Sequence, residues 1–164
     1  MENHLTSLNL ESLWIANNLY EFGDLEPNFN TYKTNISDFW YSLSIKPDIN
    51  LDGSNTVTIG NDRELSINTS GTNNIYTWYK GNTKLGESTD GKWSLKNIQI
   101  EDFGSYKCNI TNSLVVNTTI DSNKILIYLF TQKFFTTTNI NPHASRTFWF
   151  RSRYIMSISI TIPI

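Results

Sequence analysis

The chain of 164 residues holds a single cysteine, which excludes an intramolecular disulfide and any multi-thiolate metal site. Cys108 therefore reads as a small buried hydrophobe, with an unpaired thiol as the other reading, and it leaves the redox compartment undetermined. Histidine is nearly as scarce. His4 and His143 stand near opposite ends, with no third imidazole to complete a metal site or a nucleophilic triad. No glycine-rich loop is present to cradle a phosphate. No basic and apolar leader opens the chain at Met1-Glu2-Asn3-His4-Leu5, and the longest apolar-leaning run, Tyr154 to Ile164, is too short to cross a bilayer. Acidic residues are missing after position 130. The first 130 residues hold all 15 acids against nine lysines and arginines, a net charge of -6. The remainder carries Lys133, Arg146, Arg151 and Arg153, a net of +4. This asymmetry marks a change of character near residue 130, but four scattered charges make a thin footprint for nucleic acid or membrane.

What is present points to a β-rich fold. Hydrophobic residues at 38% and aromatics at 13% suit half-buried strands, and the length suits one domain with a short second element. The most informative stretch is Asp102-Phe103-Gly104-Ser105-Tyr106-Lys107-Cys108, with Trp78 thirty residues upstream. A D-x-G-x-Y-x-C run of this kind opens strand F of an immunoglobulin-like sandwich. The aspartate and glycine shape the turn, Tyr106 folds its hydroxyl back onto the backbone, and Cys108 points into the core beside the strand-C tryptophan. Short alternating segments surround it from Tyr41 to about Phe130. Val57 and Ile59 suit a first strand, and Leu65, Ile67 and Thr69 a second. Ile75, Thr77 or the neighbouring aromatics, and Trp78 follow, ended by Lys80-Gly81-Asn82. Next come Trp93, Leu95 and Ile98 after an Asp90-Gly91 turn, then Tyr106, Cys108 and Ile110, and last Ile125, Ile127 and Leu129. The expected core is Ile67, Trp78, Leu95, Tyr106 and Cys108.

Ahead of this region, Leu10, Leu13 and Ile15 fall at L-x-x-L-x-L spacing, followed by Asn18. That spacing fits one coil of a leucine-rich repeat, in which a short strand points apolar side chains inward and an asparagine turns the chain. Leu5, Leu8, Leu10 and Leu13 also satisfy a helical period in part, so spacing alone leaves strand and helix open. A repeat needs stacked neighbours, and one copy is evident. Residues 131–164 follow no sandwich pattern and read as a poorly ordered tail.

Taken together, LWIANNLYEFGDLEPN, YTWYKGNTKLG and WSLKNIQIEDFGSYKCNITNSLVV resemble surface proteins of Bacteroidetes-type bacteria in which leucine-rich repeats run into an immunoglobulin-like domain. The resemblance covers roughly Leu5 to Phe130. It implies a secreted or surface-attached parent protein that binds a protein or carbohydrate ligand. By the same resemblance a strand-B cysteine belongs about eleven residues before Trp78, where Ile67 stands. The inter-sheet bridge, typically worth about 2–4 kcal/mol, is thus replaced by apolar contact. The chain reads as a piece of such a protein, truncated at the front and shifted in frame after Phe130.

Candidate chemistry is sparse. Asp48-Ile49-Asn50-Leu51-Asp52-Gly53 imitates the start of a calcium loop, with Asp48, Asn50 and Asp52 as oxygen ligands. The acid required at the twelfth position is Ile59, so a linker turn into the first strand is the other reading. Sequons at Asn35, Asn68, Asn109 and Asn117 match the number chance gives in a chain this rich in Asn, Ser and Thr. Glu101 and Asp102 diverge as neighbours, and Asp102 already has a turn role. Trp14, Tyr20, Trp40, Tyr41 and Trp93 form either a sugar-stacking face or filler between repeat and sandwich. Phe148, Trp149 and Phe150 beside Arg151 and Arg153 offer a contact to membrane or nucleic acid.

The expectation is an all-β chain: a leucine-rich-repeat remnant and linker over residues 1–40, an immunoglobulin-like sandwich of about seven strands over 41–130, and a tail over 131–164. It is expected to be monomeric and non-catalytic, with no metal, cofactor, nucleic acid partner or transmembrane segment. The expected role is an adhesion or ligand-binding module, against a structural spacer or a tail-borne membrane or nucleic-acid contact.

Overall fold

The computed structural model describes residues 10–129. Its first strand, β1 (Ser12–Asn18), runs parallel to β2 (Asp38–Leu43), and two short helices, α1 (Phe22–Leu25) and α2 (Phe29–Asn35), carry the chain between them. A parallel pair needs such a crossover, because a tight hairpin cannot return the chain in the same direction. The start of α1 is fixed by the Glu21 amide donating to Asp24 Oδ2 at 2.8 Å, and Pro27 separates the two helices. Alternation sets the faces of the ribbon. Ile15, Phe39 and Tyr41 turn inward and meet Phe29 and Tyr32 of α2. The Phe29 ring stands edge-on to Tyr41 with centroids 5.0 Å apart and to Phe39 at 5.7 Å.

Nine strands follow: β3 (Ile49–Leu51), β4 (Thr56–Val57), β5 (Arg63–Ile67), β6 (Asn74–Lys80), β7 (Thr83–Ser88), β8 (Lys92–Leu95), β9 (Gly104–Asn112), β10 (Ile120–Asp121) and β11 (Ile125–Leu129). One antiparallel sheet is ordered β3-β5-β8. The other is ordered β4-β11-β9-β6-β7, with β10 paired to β9. With β5, β6, β8, β9 and β11 in the places of strands B, C, E, F and G, this is an immunoglobulin-like sandwich. β7 extends the second sheet beyond β6.

Side chains from both sheets fill the space between them. Ile67, Trp78, Leu95, Tyr106 and Cys108 are all buried in one continuous apolar cluster. Trp78 lies opposite Cys108 in the β6–β9 register, and its indole N–H donates to Ser88 Oγ at 3.1 Å. Tyr106 donates its hydroxyl to the Asp102 carbonyl at 2.6 Å, closing the corner where a 3-10 turn, Ile100–Asp102, leads into β9. Gly91 makes the turn before β8 at φ +72°. A Cβ there would lie 2.5 Å from the Ile67 carbonyl oxygen, so only glycine fits.

Several expectations change. The Leu10–Asn18 segment, which spacing left open between strand and helix, contains strand β1 (Ser12–Asn18). The segment read as a calcium loop or linker turn contains strand β3, and Ile59, placed in a first strand, is exposed and outside any strand. Asp48, Asn50 and Asp52 therefore alternate along extended chain, roughly 7 Å apart from one to the next, and do not converge. Strand β7 carries no clear signal in the sequence, because it is an edge strand of mainly polar residues interrupted by Gly86. Strand β2 spans residue 40, where the repeat remnant was expected to end. Residues 131–164, with the tail aromatics, and both histidines lie outside the described residues.

Candidate binding surface

The segment between β1 and β2 meets the sandwich at the end where the β5–β6 and β9–β10 connections lie. Glu26, just after α1, is the hub. Its carboxylate accepts from the Thr72 amide at 2.8 Å, the Thr72 hydroxyl at 3.0 Å, the Asn73 amide at 3.2 Å and the side-chain amide of Asn112. Burial pushes the Glu26 carboxyl up, but the hydrogen bonds from Thr72, Asn112 and Asn73 together outweigh it and hold the group below the ordinary glutamate range. Asn112 in turn donates to Asn74 Oδ1 at 2.8 Å and accepts from the amides of Leu114 and Val115 at 2.9 and 3.0 Å. Nearby, Glu21 Oε2 accepts from the Ser70 amide at 2.5 Å, and the Tyr41 hydroxyl donates to the Val116 carbonyl. Burial raises the Tyr41 phenol. Gly23 permits this approach, since a Cβ on it would lie 2.7 Å from Ser70 Oγ and 2.9 Å from the Gly71 backbone nitrogen. In variable-type sandwiches this end displays the recognition loops. Here the chain's own helices occupy it.

The outward face of the β1–β2 ribbon is open. Trp14 lies opposite Trp40 in register, and the two are 70% and 52% exposed. Their rings meet edge to face, with centroids 6.5 Å apart and planes inclined by 65°. The Trp14 indole N–H donates to Asp38 Oδ2 at 2.9 Å, which fixes the ring. Trp14, Asp38 and Trp40 line an open cleft of about 290 Å³. Of the five aromatics read as one stacking face, only these two come together. Tyr41 points to the opposite side, Tyr20 sits past the end of β1, and Trp93 lies on the sandwich with its ring against Gly86.

The ribbon carries a 26-residue offset in spacing that the sequence reading missed. Ser37 Oγ donates to the Glu11 carbonyl at 2.9 Å and Ser44 Oγ to the Asn18 carbonyl at 2.5 Å, each across 26 residues. Strand pairing keeps the same offset, Leu13 with Phe39 and Ile15 with Tyr41. Ile36, Phe39, Tyr41 and Ser44 thus repeat the spacing of Leu10, Leu13, Ile15 and Asn18. The signal was a one-period offset with aromatics in leucine positions. Asp38 and Glu26, which sequence reasoning passed over, have no local signature of their own.

The other candidate residues are engaged elsewhere. Asp48 Oδ1 accepts from the Asn123 side chain at 2.7 Å, and Asp52 Oδ1 accepts from the Glu64 amide at 2.8 Å. Among the described residues no three His, Cys, Asp or Glu side chains gather to hold a metal. Asp102 Oδ2 accepts from the Gln99 amide at 2.8 Å as part of the corner. Cys108 is fully buried, and burial pushes its thiol up to about 12, which suits packing and not nucleophilic attack.

No family model and no curated protein matches the sequence. Solved structures share the sandwich. The second Ig-C2 domain of human Fc-receptor like A is 17% identical, with a TM-score of 0.45, over 52% of this chain and 98% of that one. Murine CEACAM1b is 17% identical at 0.46 over 57% of this chain and 48% of that one. The N-terminal domains of the bacteriophage RB49 highly immunogenic outer capsid protein are 18% identical at 0.45 over 51% and 28%. These partial likenesses carry no ligand across.

Proposed function

We propose that this chain is a non-catalytic ligand-binding module from the surface of a bacterium, the junction between a leucine-rich-repeat array and an immunoglobulin-like domain, with its ligand held on the Trp14–Trp40 face. One observation carries the reading: two tryptophans directly opposite each other stand in water on a ribbon whose other face is packed. Exposed aromatic pairs of this kind are costly to leave uncovered and are enriched where proteins meet ligands. The repeated spacing across 26 residues supports the array. Repeats of this length stack strand on strand and present their outward residues as a binding face. The sealed loop end of the sandwich supports the same assignment of roles, with the immunoglobulin-like part as rigid support. A spacer without a ligand is the competing function. Among the described residues no helix is long and apolar enough to cross a membrane.

The test is an array of glycans and extracellular proteins probed with the full chain and with a Trp14→Ala/Trp40→Ala double variant. Hits lost in the variant support the proposal. Silence from the folded wild-type chain favours the spacer.

A further inference from the structure

We infer that the Trp14–Trp40 face binds a neutral pyranose ring, a reading of ligand class that rests on the assignment of this face as the binding surface. Among the described residues the cleft joins two flat apolar rings to one carboxylate. A pyranose matches that combination: its C–H face stacks on an indole while hydroxyls at its rim donate to an acceptor. Asp38 has that capacity in reserve. Its Oδ2 takes the Trp14 N–H, and a carboxylate offers about four acceptor positions over its two oxygens. The neighbours on the same face, Ser12 and Ala16 on β1 and Ser42 on β2, are small, so a ring can approach unhindered. At about 290 Å³ the cleft suits one sugar unit and lies at the small end of ligand sites. The bond to Asp38 orients Trp14 before binding, which lowers the ordering cost.

Other occupants fit less well. Rings already in edge-to-face contact at 6.5 Å form no closed cage, so an ammonium group would meet one indole face at a time. A nucleotide or an acidic sugar would bring its negative charge against Asp38, and among the described residues no lysine or arginine lines the cleft to offset it. Three lining residues also fall far short of the roughly 800 Å² per partner that a stable protein interface buries.

Saturation-transfer NMR on the full chain tests this, with methyl β-D-glucopyranoside and methyl β-D-galactopyranoside as probes and methyl glucuronide and choline as comparators. The expected result is transfer to ring C–H protons of at least one neutral pyranoside at millimolar concentration. Trp14→Ala and Trp40→Ala should each weaken it at least tenfold, with unchanged melting curves because both side chains are exposed. Asp38→Asn should weaken the neutral sugar and narrow its margin over the glucuronide. Absence of transfer from both pyranosides, equal binding of choline or glucuronide, or binding unaffected by the tryptophan variants overturns the inference. If the array instead returns a protein ligand lost in the double variant, the sugar falls and the binding face stands. If it returns nothing, both fall.

Discussion

The Glu26 carboxylate accepts a hydrogen bond from the side-chain amide of Asn112, 86 residues later in the chain. This bond ties the segment after α1 to the end of β9, and Asn112 passes it on to Asn74 at the start of β6. One acid thereby links the N-terminal segment to two strands of the sandwich.

Removing that acid loosens the joint. Glu26→Ala is expected to lower stability by about 1.5 kcal/mol, the low end for hydrogen bonds to a charged group, because the carboxylate is partly in contact with water. Urea unfolding of the variant against wild type measures it.

The same residue sets an acid dependence. Glu26 is held below the ordinary glutamate value of 4.5, so its unfolded form takes up a proton first as pH falls. Its contribution is present above about 4.5 and disappears as pH drops through the depressed folded value. Glu26→Gln should flatten the unfolding free energy against pH in that window, and an unchanged slope would remove Glu26 from the account.

Closeness at the joint depends on Gly23. Gly23→Ala should displace α1 from the Ser70–Gly71 backbone, since the added carbon would lie under 3.0 Å from both residues. Faster amide exchange at Ser70 and Thr72, with protection kept in β6 and β9, is the expected pattern.

The core rests on Trp78. Trp78→Ala should cost about 3–5 kcal/mol and Trp78→Phe less, the latter still leaving Ser88 Oγ without its indole donor. Chemical denaturation of both variants ranks them, and an unshifted midpoint for the alanine variant would contradict its burial.

At alkaline pH two buried acids act together. Burial, with the Asp102 carboxylate as the lesser cause, pushes Tyr106 up to about 12. Burial alone takes Cys108 to about 12. Both folded values exceed their unfolded ones of 10.0 and 9.0, so the stability they contribute is complete below pH 9 and drains away as pH rises toward 12. Tyr106→Phe should cost about 1 kcal/mol at neutral pH through the lost corner bond, yet soften the alkaline decline. Cys108 should react with a thiol reagent at pH 8 only as fast as the chain opens.

What the sequence made legible was local. The turn, the tyrosine corner and the strand-F alternation lie within Asp102–Ile110, so one short stretch holds the whole signal, and Trp78 is found from it by spacing. The sheet edges were not legible. β7 is polar and carries Gly86, and β3 sits inside an acidic pattern that reads as a loop until β5 is seen to pair with it. The matching spacing at β2 was hidden because Phe39, Tyr41 and Ser44 stand where β1 has Leu13, Ile15 and Asn18. In the binding face, Trp14 and Trp40 were visible as aromatics, but their meeting depends on parallel pairing across 26 residues, and Asp38 acquires its role only from that register. The joint was invisible for the same reason: Glu26 binds partners more than 40 positions away.

Strands β4 and β11 run parallel, with Thr56 beside Tyr128 and Val57 beside Leu129, and the Tyr128 amide donates to the Asn55 carbonyl at 3.2 Å. Tension drawn along the polypeptide from the linker before β3 to the end of β11 pulls these neighbours lengthwise past each other. Their bonds then share the load at once and do not peel apart in sequence.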